Sequence, residues 1–261
     1  MLWAALAAAC GSPPMNDLFA DNDFSAGEAN GGGGGGAMAV GGKGSGGKPS
    51  GGASGSRALS TVACEQACAG IGKCQENVCI ITCDAARPCT DRVDCPEGIG
   101  CEVLCDGPNA CSSGVECAKA TSCDVRCTTE GSCAGKVHCG ASATSCAVSC
   151  EGKGSCQSEL NCESGKCDLR CKGVDSCSGK LSCVGGSDHC FVDCSGSGSC
   201  KNEIVSESPS SQLTCWPNTC AGLISCGGAQ CNLTCKDPSC GSGACCKATD
   251  CQLTGVESSC D

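Results

Sequence analysis

Cysteine sulfur has three uses in a protein: it bonds a second sulfur, holds a metal as thiolate, or attacks as a nucleophile. The sequence has 37 cysteines among 261 residues, and their spacing separates these uses. From Cys123 to Cys200 four cysteines recur in fixed order, most plainly in Cys146 to Cys167, CAVSCEGKGSCQSELNCESGKC. We label the slots a, b, c and d; three residues separate a from b, five separate b from c and c from d, and about five lead to the next a. Thiolate metal stores use CxC or CxxC spacings, which place adjacent sulfurs on one ion. This chain has neither, and the adjacent pair Cys245–Cys246 does not replace them. A cysteine nucleophile needs a histidine base. Only His138 and His189 exist; one precedes slot d and the other slot a, so both are expected on the surface, about two coils apart. Glu102, Asp124 and Asp168 share slot a+1, but Ala147 interrupts them as a calcium ladder. The pattern therefore reads as a disulfide framework.

The elements that position these sulfurs follow from the residues between them. Slot a falls at Cys79, Cys101, Cys123, Cys146, Cys167, Cys190, Ser211, Cys231 and Cys251, a period of 20 to 23 residues. A fixed period of this size marks stacked repeats, each covered by its neighbours. The a-to-b segments, among them CEVLC, CDVRC, CAVSC and CDLRC, alternate apolar and polar residues, so each predicts a strand with one buried face. A second, shorter strand is predicted around Val115, Val137, Leu160, Leu181, Ile204, Ile224 and Ala244, each two residues before slot d. Corners such as DGPNA, TTEGS and SGSGS carry turn residues. The predicted fold is all-β: a disulfide-rich parallel β-solenoid of 20–23-residue coils, right-handed by the usual crossover rule. Eight coils stacked about 4.8 Å apart span roughly 40 Å. Arg57–Cys68, RALSTVACEQAC, reads as a short helix capping the first coil.

Geometry then limits the pairing. A strand from a to b holds its end Cα atoms about 13 Å apart, whereas a disulfide tolerates about 7 Å at most. One damaged unit discriminates among the rest: slots d and a are lost together at Ser206 and Ser211, while Cys200 and Cys215 remain. Joint loss predicts d bonded to the next a, and hence b bonded to c. The expected bridges are Cys83–Cys89, Cys95–Cys101, Cys105–Cys111, Cys117–Cys123, Cys127–Cys133, Cys139–Cys146, Cys150–Cys156, Cys162–Cys167 and Cys171–Cys177. They continue as Cys183–Cys190, Cys194–Cys200, Cys215–Cys220, Cys226–Cys231, Cys235–Cys240 and Cys246–Cys251. At the ends the same rule predicts Cys68–Cys74, leaving Cys64 with Cys79 and Cys245 with Cys260. Only Cys10 stays odd.

Cys10 follows MLWAALAAA, an apolar run too short to span a membrane. Residues 11 to 60 contain no cysteine, include the run Gly31 to Gly36, and are too poor in apolar residues to fold, so they predict a flexible tether of roughly 40 Å r.m.s. span. The organisation is thus a signal-like segment at 1–9, an anchor cysteine and tether at 10–60, and a repeat domain at 61–261. Through Ala7-Ala8-Ala9-Cys10, the Gly-rich tether and the cysteine period, the chain resembles cysteine-rich repeat lipoproteins of bacterial surfaces. The resemblance implies that residues 1–9 are removed and that Cys10 is lipid-modified. It also implies a membrane partner through that lipid, and a place on the outer membrane or cell surface; free secretion is the alternative.

Composition narrows the function. The formal net charge is −11 and no Lys/Arg cluster exists, which argues against nucleic-acid binding. No GxxxxGK[ST] or GxSxG run occurs, so no cofactor and no catalytic residue is expected. Thr214, Thr234 and Thr254 align beside Gln212, Asn232 and Gln252. That row is similar to the flat Thr rows of β-solenoid antifreeze proteins, although three coils make it short. The expected function is a non-enzymatic, lipid-anchored extracytoplasmic module for structure, adhesion or binding of an extracellular ligand or surface. A thiolate metal-binding protein and a secreted enzyme without a nameable site are the alternatives.

Overall fold

The computed structural model describes residues 61–236, 240–258 and 260. The signal-like segment, Cys10, the tether and the first four residues of the expected capping helix lie outside the described residues.

The repeat region is a parallel β-solenoid of about eight turns. Each turn contributes one long and one short strand. The long strands run from Val78–Asp84 to Asp250–Thr254, and the short ones from Val93–Asp94 to Ala244–Cys246. In coil order the nine long strands, with Lys73–Gln75 added at one edge, form a ten-stranded sheet, and the short ones form an eight-stranded sheet. The register matches like with like. Cys101, Val103 and Cys105 lie beside Cys123, Val125 and Cys127, and the next coil adds Cys146, Val148 and Cys150. A slip of one residue would turn every apolar side chain outward, so the alternating pattern fixes this register.

Two aliphatic columns fill the interior. Ile81, Val103, Val125, Val148, Leu169, Val192, Leu213 and Leu233 come from the long strands. Val93, Val115, Val137, Leu160, Leu181, Ile204, Ile224 and Ala244 come from the short ones. Cysteines bury almost completely on either side of them.

The corners demand more than turn chemistry. Gly152, Gly173 and Gly196 stack so closely that a Cβ on any of them would overlap a backbone carbonyl of the coil before: that of Thr129, Gly152 or Gly173 respectively. Each slot-c cysteine from Cys111 to Cys220 has positive φ, between 48° and 55°. A left-handed L-residue costs about 1–2 kcal/mol. Glycine would avoid that cost but could not form the bridge to slot b. The residue before slot c is also fully buried in Ser132, Ser155, Ser176 and Ser199. Ser132 and Ser155 donate their hydroxyls to the carbonyls of Thr129 and Gly152, at 2.8 Å each.

The N-terminal end departs from the coil pattern. Thr61–Cys68 is helical. Lys73–Gln75 then pairs antiparallel with Val78–Asp84, placing Cys74 opposite Cys79. Glu76 and Asn77, both at positive φ, form the tight turn between them. The pairing expected here is corrected: Cys64 bonds Cys74, and Cys68 bonds Cys79. The expected Cys68–Cys74 bridge assumed a coil corner, but this segment is a helix leading into a hairpin. Cys64 and Cys68 are one helical turn apart on one face, so each meets one of the two facing hairpin cysteines. The Cα separations, 5.8 and 5.5 Å, suit a disulfide.

Candidate functional site

Every cysteine from Cys64 to Cys260 is disulfide-bonded. Slot b bonds slot c around one corner, as in Cys105–Cys111, Cys127–Cys133, Cys150–Cys156, Cys171–Cys177 and Cys194–Cys200. The same holds for Cys83–Cys89, Cys215–Cys220 and Cys235–Cys240. Slot d bonds the next slot a around the other corner, in Cys95–Cys101, Cys117–Cys123, Cys139–Cys146, Cys162–Cys167 and Cys183–Cys190. Cys226–Cys231 and Cys246–Cys251 repeat it, and Cys245–Cys260 fastens the last residues. Ser206 and Ser211 stand where one such bridge would be, their hydroxyl oxygens 2.6 Å apart and buried. Sulfurs such as those of Cys105, Cys127 and Cys133 come within 4.8 Å of one another, but each is held in a bridge and offers no thiolate. Cys10 lies outside the described residues.

Among the described residues the side chains left for chemistry are those that point outward, and the two sheets present different faces. On the long-strand face, slot a+1 stacks Glu102, Asp124, Ala147 and Asp168 in register, so Ala147 does separate the two aspartates. Slot a+3 stacks Arg126, Ser149 and Arg170 beside them. Arg170 clamps Asp168 with two bonds of 2.9 Å and lies over the Phe191 ring, 5.6 Å from its centre. Asp124 is held less well: its Oδ1 lies 3.9 Å from Arg126 Nε, and neither atom has a hydrogen-bond partner. Burial pushes the Asp124 carboxyl above the usual range, opposed by Arg126 and reinforced by Asp168. Burial also raises Glu102, with the Asp124 charge adding to it. Farther along, Thr214, Thr234 and Thr254 form one column and Gln212, Asn232 and Gln252 another. Trp216, at the corner of that face, gives its indole N–H to Asp193 at 3.0 Å and lies under Lys236.

The short-strand face carries a polar column just before slot d: Glu116, His138 and Asn161, in register on successive coils. His138 Nδ1 lies 2.7 Å from Glu116 Oε1, and Nε2 lies 3.7 Å from Glu163 Oε1. His189 begins the long strand His189–Cys194 in the other sheet, so the histidines do not converge. Sequence reasoning singled out His138 but not Glu116, Asn161 or Glu163. The signal for them was the slot itself, since the residue before d on adjacent coils must share one face.

A hollow of about 150 Å³ lies between the corners at Val184–Asp188 and Glu207–Pro209. Small-molecule pockets run roughly 300–1,000 Å³, so this hollow is too small for an ordinary substrate site. No protein-family profile, curated protein or solved structure matches the chain.

Proposed function

We propose that the chain is a non-enzymatic extracytoplasmic module, tethered to a membrane through lipid on Cys10, that offers a disulfide-stapled surface to an extracellular ligand or structure. The observation that carries this reading is the complete use of Cys64 to Cys260 in bridges. By parity Cys10, behind Ala7-Ala8-Ala9, is left for a different chemistry. Bridges at this density suggest an oxidising compartment. The outer faces support a binding or structural role, because most of their polar groups are laid out in columns along open sheet faces, the arrangement of a contact surface.

The test is detergent-phase partitioning of the chain produced in a bacterium that processes lipoproteins, beside its Cys10→Ser variant. The parent should enter the detergent phase and carry label from a radioactive fatty acid. The variant should stay in the aqueous phase without label. Equal behaviour of the two would overturn the anchor.

A further inference from the structure

We propose that His138, Asn161 and Glu163 bind one divalent transition-metal ion of the zinc type on the short-strand face, with Glu116 as the positioning residue. The proposal goes beyond the anchored-module reading and does not depend on it.

Glu116 fixes the imidazole. Its Oε1 accepts the backbone N–H of Ala118 at 3.2 Å and lies 2.7 Å from His138 Nδ1, a distance that assigns the ring proton to that nitrogen. Arg92 Nη1 stands 4.0 Å from its other oxygen. The oxygen nearest the imidazole sits at Nδ1, on the side of the ring away from Nε2, so we assign this carboxylate to orienting the ring and not to binding the ion. With the proton on Nδ1, the lone pair of His138 is on Nε2. That nitrogen is buried and has no hydrogen-bond partner. A carboxylate behind one imidazole nitrogen, with the other left open, is the usual setting of a metal-bound histidine.

Two further donor atoms lie on the next coil. Asn161 is in register with His138 and gives its Nδ2–H to Glu163 Oε1 at 3.2 Å. That bond sets the amide orientation and leaves Asn161 Oδ1 buried with no donor to accept from. Glu163 Oε1 is 3.7 Å from His138 Nε2. This is too long for a hydrogen bond. An ion about 2.0–2.2 Å from both atoms would subtend roughly 115–135° between them, an angle that a distorted tetrahedral or five-coordinate zinc site accommodates. An orphaned imidazole nitrogen 3.7 Å from a carboxylate oxygen is satisfied by a cation between them, and the orphaned Asn161 Oδ1 stands in the same column one coil on, as the third donor we assign. Because one donor is an imidazole nitrogen, the site favours zinc-like ions over calcium or magnesium. Half-buried side chains leave room for water to complete the coordination.

The test uses the full oxidised chain, with Cys10 alkylated so that its thiol takes no metal, and zinc chloride as the probe. Zinc should shift the His138 ring resonances and leave those of His189 in place, and a chelator should reverse the shift. His138→Ala and Glu163→Gln should each weaken zinc affinity about tenfold or more, and Glu116→Gln should do so about tenfold through loss of ring orientation. Unchanged guanidinium midpoints would show that the variants fold. If His138 only bridges two carboxylates, zinc up to about 1 mM will leave its resonances unmoved, and the proposal fails. Binding retained by His138→Ala, or a response to calcium as strong as that to zinc, would also overturn it.

Discussion

At the scale of single residues, the outer face shows what repetition costs. Identical slots stack about 4.8 Å apart, so a charge placed in one coil meets whatever its neighbours carry there. Glu102 and Asp124 are adjacent in slot a+1, and burial raises both carboxyls above their ordinary values, with the charge of Asp124 adding to it at Glu102 and that of Asp168 adding to it at Asp124. For such a group the folded state holds its proton more tightly than the unfolded state. Stability from these two residues is therefore greatest below the ordinary carboxylate range, about pH 4, and falls as pH rises from there through their raised values. Asp124→Asn removes one of the two charges. It should raise the guanidinium midpoint at pH 7, and its advantage over the parent should shrink towards pH 4. An advantage that grew on acidification would contradict the assigned direction. The His138 cluster belongs to the same scale. It was legible only in part, because the sequence places Glu116, His138 and Asn161 in one column but cannot show that Glu163 turns back towards that column.

At the scale of elements, two cysteines per corner and alternation within each a-to-b segment were enough to read both sheets and the bridges that close the coils. What the pattern could not carry was the start of the repeat. Cys64, Cys68 and Cys74 have coil-like spacing, yet the local structure is a helix and an antiparallel hairpin, so two bridges exchange partners there. The damaged unit, in contrast, was informative. Ser206 lies in register between Cys183 and Cys226, and Ser211 between Cys190 and Cys231. The flanking bridges hold their Cα atoms 6.1 and 6.2 Å apart. The Ser206→Cys/Ser211→Cys double variant should therefore oxidise without moving the backbone. Its loop of six residues should add about 2 kcal/mol to stability. Mass spectrometry should find the new bridge and denaturation a higher guanidinium midpoint. Two free thiols in the folded double variant would show that the serine joint has a different geometry.

At the scale of the whole molecule, the disulfide network is what makes so small an apolar content sufficient. A chain with no Tyr and three Phe builds its interior from two thin aliphatic columns and sulfur. Each short loop closed by a bridge contributes on the order of 2 kcal/mol, against a net stability of about 5–15 kcal/mol for an ordinary domain. These contributions do not add, but losing even a handful would erase the balance. Access decides which are lost first, because a reductant must reach a sulfur to open it. In the middle turns both partners are buried, as for Cys150–Cys156 and Cys171–Cys177. At the last turn Cys251 and Cys260 are exposed, and their partners Cys246 and Cys245 lie beside them. Limited reduction followed by alkylation and peptide mapping should label Cys251 and Cys260 roughly tenfold sooner than Cys150 or Cys156. The β-sheet circular dichroism should survive that first stage. It should collapse once the middle bridges open, together with resistance to proteases. Uniform labelling along the chain would mean that the coils open as one unit, and a reduced chain that kept its sheet signal would mean that the aliphatic columns suffice without sulfur.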